Sequence, residues 1–473
     1  MKPSSERFFM VAAGICVMAI AAAIAFQMVT EQKRGAALAK MKKPAILTRQ
    51  LAANASPANA AKQGEQDGSG ATRIAPDKAA ESVAAFTSLL PQVGKFGADE
   101  RWRALYDDVF LKKAPRDWTL DESIAAKSFA NEARPLIQEI RRLAELGGPA
   151  KELDYSKGAA IELPHLAPLR ACARLLMIDA KVQAQSANYG EAVEDILAAW
   201  KLGDVIKDEP ILISQLVRCA MDGIAYNCIQ EALPANGLDP ELARHVIEGS
   251  RRADAHQSFA EAFSGEGMFG LDTFEQLRDG STEGLMGGGI PSSQQLLVTV
   301  YGSRIARPWL NMDETAYSET MARVQEAAQL PYAQARPLMQ QIEQDVENLP
   351  RTRILTHILL PSLTQAIGAQ ARDEAMLALV QVGLALEMYH TQNGTYPASL
   401  DSIAAAIGGR VPVDPFTGTP LGYKPSGQSF VLYSVGHDLI DDGGQQGYKP
   451  NGQMDYLHGD IVWRAQPRVE TEK

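Results

Sequence analysis

The feature that most restricts how this chain can fold is an uncharged segment near its N-terminus. Phe8 to Val29 contains 22 residues without a charged side chain. As a helix, a segment of this length crosses a hydrocarbon layer of about 30 Å. Peptide groups in hydrocarbon must be hydrogen-bonded within the segment, which a helix achieves. The sequence therefore predicts an N-terminal signal-anchor transmembrane helix within residues 1–30.

Processing and topology leave two alternatives. Ala23-Ile24-Ala25 fits a small-residue cleavage site, so a removable signal peptide is the alternative to an uncleaved anchor. Basic residues are more numerous after the segment than before it, which read literally would keep the C-terminal side cytoplasmic. Because large domains cross membranes largely regardless of charge, we expect the C-terminal regions to be exported.

The remaining residues divide by composition and periodicity. Residues 31–80 are rich in Ala, Gln, Lys and Gly and are predicted to form a flexible tether. Residues 81–353 predict an α-helical hairpin-stack domain, residues 354–467 a stem helix with a small α+β head, and residues 468–473 a tail. The expected fold class is mostly α. A formal net charge of −11 argues against a nucleic-acid partner, since no dense basic face offsets it.

Local signals mark individual helices. Thr119 and Glu122 have capping-box spacing and predict a helix that runs to Leu146 and stops at Gly147. Further helices are predicted over 211–232 and 239–263, and a flexible Gly-rich loop over 279–292. The segment "SANYGEAVEDILAAWKLGDVI" breaks at Asn188-Tyr189-Gly190 and resumes a helical period. Residues 168–206 thus resemble a tetratricopeptide-type helical hairpin, which implies a surface that binds protein partners.

The C-terminal region changes from a helical to an extended period. Residues 353–390 predict a long helix interrupted at Pro361, with Ala375, Leu379, Val382 and Leu386 along one face. Strands are predicted over residues 422–424, 429–435 and 460–463. The chain is therefore expected to end in a small α+β unit.

Four sequence blocks in this region resemble the major pseudopilin of type II secretion. They are "LALEMYHTQNGTYPASL", "VPVDPFTGTPLGYKPSG", "FVLYSVGHD" and "GDIVW", within residues 354–464. The resemblance implies a pseudopilin-like head on the distal half of a stem helix, located at a bacterial inner membrane and associated with secretion or pilus-like machinery. No prepilin-peptidase motif occurs and no 20-residue apolar span precedes Pro361. We therefore expect a pseudopilin-like head in a differently anchored protein.

The resemblance also implies calcium. Asp438 matches the first aspartate of the family's loop, Val435 a position that offers a backbone carbonyl, and Asp460 the aspartate that opens the last strand. The interval between Asp438 and Asp460 is longer than in the family, and Asp441 and Asp442 are the candidates for the middle ligands. Such carboxylates and carbonyls are the hard oxygen ligands that calcium prefers.

Two other interpretations of this segment remain open. Counted from Asp438, position 3 is Ile440 and position 12 is Lys449, so the spacing excludes an EF-hand. A solvated Asp/Gly loop without a metal is the simplest alternative. Zinc bound by His437 and His458 is the third, and no cysteine joins that pair.

The leading hypothesis is a non-enzymatic protein, and the rival is an exported metal-dependent hydrolase. The rival rests on acidic and histidine side chains of the helical domain, which are His245, Glu248, Asp254, His256, Glu261 and Glu266. Their spacing matches neither a di-iron bundle nor a zinc-peptidase motif, so solvated helix faces are the simpler interpretation. Cys172, Cys219 and Cys228 are expected to be buried apolar residues.

Overall fold

The computed structural model describes residues 25–44, 76–234, 238–251, 255–279, 303–360, 363–449 and 455–463, together with residues 23 and 301. Most of these residues are helical, which confirms a mostly-α fold. Residues 8–22 and 24 of the predicted membrane span lie outside the described ranges. In the part of the chain that the structure describes, no helix is both long and apolar enough to cross a membrane.

The first described helix, α1, covers residues 25–38. The helices that follow are α2 (Pro76–Gly97), α3 (Glu100–Leu105), α4 (Leu120–Leu146), α5 (Leu166–Gln185), α6 (Tyr189–Asp204), α7 (Leu212–Ala232), α8 (Pro240–Gly249), α9 (Ala255–Arg278), α10 (Arg307–Ala327), α11 (Tyr332–Glu347), α12 (Ile354–Leu359) and α13 (Leu363–Asn393). Short 3-10 helices lie at Pro115–Asp117, Tyr155–Ala160, Arg304–Ala306 and Leu400–Ile407, and a π-helical turn at Tyr106–Phe110.

The predicted start and end of α4 are confirmed. The Thr119 hydroxyl accepts a bond from the Glu122 amide at 3.2 Å, and the Glu122 carboxylate accepts one from the Thr119 amide at 2.8 Å. These reciprocal bonds satisfy two amide groups that the first helical turn leaves without partners. Gly147 ends the helix in a left-handed conformation with φ 68°, which glycine adopts without a Cβ penalty.

Helices α5 and α6 form the predicted hairpin, with residues 186–188 as the turn. Ile196 and Trp200 of α6 are buried, as are Ile178 and Val182 of α5. The two helices pack on each other and on α7. The prediction of one helix over 239–263 is wrong, because α8 ends at Gly249 and α9 begins at Ala255 and continues to Arg278. A helical period alone does not show a change of helix direction.

Helix α13 is the central element of the C-terminal region. Its predicted apolar face of Ala375, Leu379, Val382 and Leu386 is fully buried, which confirms that stripe. Its other faces are also largely buried, because α7, α8 and α11 pack on it as well as strands β2 and β3. The helix therefore lies in the core of the whole described structure rather than projecting as an isolated stem.

The sheet consists of β1 (Gly422–Ser426), β2 (Ser429–Ser434) and β3 (Ile461–Trp463), antiparallel and in the order β1-β2-β3. Strand β3 joins this sheet to the helical region. The Tyr226 hydroxyl of α7 donates to the Val462 carbonyl at 3.2 Å, and the Tyr226 and Trp463 rings meet edge to face. Trp463 also covers Gly383 of α13, where a Cβ would lie 2.3 Å from the indole ring.

Residues 31–44, placed within the predicted tether, lie against α10. The amide of Lys42 donates to the Gln325 side chain at 2.8 Å, and the Gln325 amide group donates back to the Lys42 carbonyl at 3.2 Å. Arg34 forms ion pairs with Glu314 of α10 and Glu275 of α9. Helix α1 is thus attached to the helical region. Of the rest of the predicted tether, residues 45–75 lie outside the described ranges, and residues 76–80 belong to α2.

Candidate acidic-loop site

Residues 435–460 connect β2 to β3 and are called the acidic loop; residues 450–454 within it lie outside the described ranges. All five predicted metal-ligand residues belong to it. Its two described parts are joined by a bridge between Gln446 and Asp460, where the Asp460 amide donates to the Gln445 carbonyl at 2.9 Å. Hydrogen bonds to aspartates supply most of its remaining order.

Asp460 is the most buried of the predicted ligands, with no exposed surface. Its carboxylate accepts bonds from the backbone amides of Gly444 at 2.6 Å, Gln445 at 3.3 Å and Asp442 at 3.4 Å. A buried carboxylate needs such partners, because an unpaired charge in a low-dielectric environment is costly. Asp460 therefore holds the middle of the acidic loop against the start of β3.

Asp438 holds the other end of the loop. One carboxylate oxygen accepts the Gly459 amide at 2.9 Å and the other accepts the Ile440 amide at 3.1 Å. Gly459 precedes Asp460 in the chain. Asp438 and Asp460 therefore both act where the end of the acidic loop returns to its start, which is called the closing point of the loop. Gly459 has φ 80°, and a Cβ there would lie 2.6 Å from the Gly447 nitrogen, so this point requires glycine.

The three other predicted ligands have different surroundings. Asp441 is exposed and accepts bonds from the Tyr433 hydroxyl at 2.8 Å and the Gly443 amide at 2.9 Å. Asp442 has an exposed side chain, and its contact with Asp460 is through its backbone amide. The Val435 amide donates to Asp414 at 2.9 Å, which fixes the entry to the loop.

The carboxyl groups of Asp460 and Asp441 have pKa values shifted in opposite directions. Burial raises the pKa of Asp460 above its ordinary value, although the amides of Gly444, Asp442 and Gln445 oppose this rise. The Tyr433 hydroxyl and then the Gly443 amide lower the pKa of Asp441, which is exposed. Both oxygens of Asp460 are already accepting bonds, so a cation there would have to replace amide donors.

The donor chemistry fits a hard cation, but the arrangement fits it only in part. Asp438 and Asp460 flank Gly459, whereas Asp441 turns towards Tyr433. Within the residues that the structure describes, no group of three or more His, Cys, Asp or Glu side chains is placed to hold a metal ion. Calcium would therefore require local rearrangement of the acidic loop, with carboxylates exchanging backbone donors for the ion.

The two histidines of the zinc alternative have separate partners. His458 is exposed and lies 2.9 Å from the Asp455 carboxylate. His437 lies 3.3 Å from the Tyr332 hydroxyl of α11, beside a cavity of about 140 Å³ between α11 and α13. Burial, together with the charges of Arg336 and Arg372, lowers the pKa of His437.

Sequence reasoning missed Asp414, which is buried and organises the loop entry. Its carboxylate accepts bonds at 2.9 Å from the Phe416 amide, the Ser434 hydroxyl and the Val435 amide. Burial raises its pKa, and these donors oppose the rise. The signal was present in the "VDPFTGTP" block, where an aspartate before proline is typical of a turn whose side chain bonds the following backbone.

The residues of the hydrolase alternative are not brought together. His245 and Glu248 are exposed on α8, while His256 on α9 lies 3.2 Å from the Leu330 carbonyl. Glu266 accepts the Leu212 amide at 3.1 Å, and burial raises its pKa. Asp254 lies outside the described ranges.

The helical region also has a surface groove that was not predicted. It is a cavity of about 450 Å³ between α2, α3 and α4, with Phe96, Trp102 and Phe129 in its lining. The Trp102 and Phe129 rings are stacked with centroids 4.5 Å apart. Leu120 and Ile124 of α4 are exposed nearby in sequence. The three cysteines, in contrast, are free and buried, as expected.

Comparison with known proteins gives no relative: no protein-family model, no curated protein sequence and no solved structure matches this chain.

Proposed function

We propose that this is a membrane-anchored, non-enzymatic protein with a pseudopilin-like, calcium-binding head and a helical region that binds protein partners. Its place is the bacterial inner membrane, as a single-pass protein with the C-terminal domains on the periplasmic side. Its partners belong to a type II secretion or pilus-like system. The observation that carries the proposal is the order of elements after residue 363: α13, a turn, β1, β2, the acidic loop and β3.

That order agrees with the order of the blocks that resemble the major pseudopilin. Gly394, with φ 72°, turns the chain after α13. Asp414 then bonds to the end of β2 and the start of the acidic loop, and Asp460 bonds to the middle of that loop. The packing of α13 on α7 supports a head that acts in place within this protein. It agrees with the lack of a prepilin-peptidase motif, since a buried helix is unsuited to polymerising as a free subunit.

Calcium binding is tested by thermal unfolding of the full chain in detergent, with millimolar calcium or with a chelator. Occupancy at a weak extracellular-type site contributes about 1–2 kcal/mol, which for a chain of this size corresponds to a rise of roughly 1–3 °C in Tm. Asp438→Asn and Asp460→Asn are expected to remove the rise, and Asp401→Asn, an exposed aspartate outside the loop, to keep it. Equal Tm values with calcium and with chelator would refute the metal assignment.

Export is tested by labelling a cysteine placed at Ser69 with a membrane-impermeant thiol reagent. The cysteines at 172, 219 and 228 are buried and give a low background. Labelling in cells with a permeabilised outer membrane and an intact inner membrane is the expected result. If the label enters only after the inner membrane is lysed, the proposed topology is wrong.

Partner binding is tested by photo-crosslinking in the source cells. A photoreactive amino acid at Ile124, close in sequence to the groove residues Ala125 and Phe129, is compared with one at Ile213, another exposed isoleucine, on α7. The expected result is a crosslink from position 124 to a component of a secretion or pilus-like system. Identical products from both positions would remove the groove as the interaction surface.

The hydrolase alternative is not taken further, because no observation favours it. Its test was the convergence of His245, Glu248, His256 and Glu261, and the structure places His245 and Glu248 on an exposed face of α8. His256 instead contacts the Leu330 carbonyl.

A further inference from the structure

Helices α1 and α10 lie side by side with the same direction. Phe26 meets Trp309 with ring centroids 6.3 Å apart, Glu31 accepts the Asn311 amide group at 2.9 Å, and Lys42 bonds to Gln325. Each step forward along α1, and along the residues that follow it as far as Lys42, is therefore matched by a step forward along α10. The N-terminal ends of both helices lie at one end of the molecule.

Large apolar side chains are exposed at this shared end. Ile305, just before α10, is 86% exposed, and Trp309 in its first turn is 45% exposed. On α1, Met28 is 67% exposed and Phe26 is 41% exposed. These four residues are called the apolar end. Several large exposed apolar side chains at one end of a molecule are typical of a surface that contacts another apolar phase.

The residues before residue 25 indicate which apolar phase this surface contacts. Residues 8–24, which precede α1 in the chain, carry no charged side chain, and residues 25–29 of α1 belong to the same uncharged segment. We infer that the apolar end rests on the bilayer surface, with Ile305 and Trp309 in the interfacial layer beside the emerging anchor. The inference depends on the proposed membrane anchor and adds a fixed orientation of the helical region to it.

The residues of the apolar end suit this location. Tryptophan is enriched at membrane interfaces, because its ring is apolar while its N–H can bond to water or headgroups. Isoleucine next to it would lie in the upper acyl region. Phe26 lies beside Trp309. A helix rises about 1.5 Å per residue, so Phe26 to Val29, the last residues of the uncharged segment, extend over only about 4.5 Å from there.

The attachment of α1 makes the orientation rigid. Arg34 pairs with Glu314, which is 1% exposed in its side chain and is also paired with Arg278 of α9. These contacts lie two helical turns after Phe26, so the chain has no free hinge between the apolar end and the helical region. An anchor N-terminal to α1 would therefore act on the apolar end and the helical region together.

The experiment uses nitroxide labels on the full chain in vesicles of three parts phosphatidylcholine to one part phosphatidylglycerol. Ile305→Cys and Ile440→Cys are each made with Cys16→Ala, since the remaining cysteines are buried. Ile440 is a matched control: it is 58% exposed, and it follows His437, which contacts Tyr332 beyond the C-terminal end of α10. With 21 residues, α10 separates the two sites by about 30 Å.

The readout is the accessibility of each label to oxygen, which concentrates in lipid, relative to a water-soluble nickel complex. We expect this ratio to be several-fold higher at position 305 than at position 440 in vesicles, and the two ratios to be similar in a non-lipid amphipathic polymer. Equal ratios in vesicles, in a sample that resists alkaline carbonate extraction, would overturn the inference and leave the anchor intact. Extraction by carbonate would overturn both.

A second measurement separates lipid from a second copy of the chain. Fluorescence quenching by brominated phosphatidylcholine is compared for the wild type and Trp309→Phe, and the difference reports Trp309 alone. Quenching of this difference signal is the expected result. A signal that resists brominated lipid but changes with protein density in the vesicles would show that another copy covers the apolar end, and the inference would be wrong.

Discussion

Asp460 shows how one carboxylate can order a long loop that has little apolar surface. Its three backbone donors come from residues 442–445, a segment 15 or more residues earlier in the chain. The exposed carboxylate of Asp442 contributes no comparable contact. Two aspartates that look alike in sequence therefore differ widely in their contribution to stability.

Asp460→Asn is expected to destabilise the full chain by about 1–3 kcal/mol when calcium is chelated. The substitution turns one acceptor oxygen into an NH₂ group that faces amide donors, and leaves a buried donor without a partner. Denaturant unfolding measures the change, with Asp442→Asn as the control, expected within about 0.5 kcal/mol of the wild type. Equal losses for both variants would contradict the hydrogen-bond assignment.

Two further aspartates, Asp179 and Asp195, are buried between α4, α5 and α6. Arg141 lies 2.7 Å from Asp195 and 3.9 Å from Asp179, and both carboxyls have no exposed surface. Burial raises the pKa of Asp195 well above its ordinary value; Arg141 opposes the rise, and the charge of Asp179 adds to it. The folded protein therefore binds this proton more tightly than the unfolded chain does.

The sign of the pH dependence follows from that direction. The contribution of Asp195 to stability is complete below the unfolded pKa and is lost as pH rises through the raised folded pKa. We expect the free energy of unfolding of the wild type, relative to Asp195→Asn, to decrease as pH rises above the ordinary pKa of an aspartate, about 4. Denaturant unfolding at increasing pH measures it, and a difference that stays constant or increases with pH would contradict the assignment.

At the scale of elements, sequence patterns worked where the signal is local. The capping box of Thr119 and Glu122 and the turn at Gly147 depend on neighbours within four residues, and both were predicted. Strands β1, β2 and β3 lie within two residues of their predicted bounds. The hairpin of α5 and α6 was predicted from a break in an apolar period.

The remaining features depend on contacts between distant residues. The pairing of Arg34 with Glu314 joins positions 280 residues apart. The segment around Arg34 is rich in alanine and has no apolar period from which this contact could be predicted. For the same reason the sequence predicted one buried stripe on α13, whereas several neighbours bury nearly all of it. In the acidic loop, the choice of Asp438 and Asp460 identified the closing point, but spacing could not show that their oxygens face backbone amides.

Gly383 tests the contact between α13 and β3. In a helix, Gly→Ala normally stabilises by up to about 1 kcal/mol. At Gly383 the added methyl group would overlap the Trp463 indole, so Gly383→Ala is expected to destabilise by about 1–3 kcal/mol. Gly94→Ala on α2, where no atom lies within 4 Å, is the control and should be neutral or stabilising. Thermal unfolding compares the two, and equal effects would show that β3 does not pack tightly on α13.

At the scale of the whole molecule, the helical region and the head share one core. Residues from α4 to β3 belong to a single cluster of buried side chains, and Tyr226 and Gly383 bring α7 and α13 to Trp463. The segment that follows α1 belongs to the same unit through Met41, which lies in this core.

The attachment of α1 is the link on which a fixed orientation at the membrane depends, and Arg34→Gln tests it. The variant removes the ion pairs with Glu275 and Glu314, while Arg278 continues to neutralise the buried Glu314. Docking of α1 should weaken by about 1–3 kcal/mol, so amide hydrogens of residues 30–38 should exchange roughly 5- to 150-fold faster. Hydrogen exchange with mass spectrometry measures this, and Lys33→Gln, an exposed neighbour, should exchange like the wild type.

Because Arg34 lies outside the core of α13 and the sheet, exchange in α7 and β3 should stay unchanged. Unaltered exchange over residues 30–38 in Arg34→Gln would mean that Phe26, Asn311 and Gln325 hold α1 without the ion pairs, and faster exchange throughout the protein would mean that α1 is part of its cooperative fold.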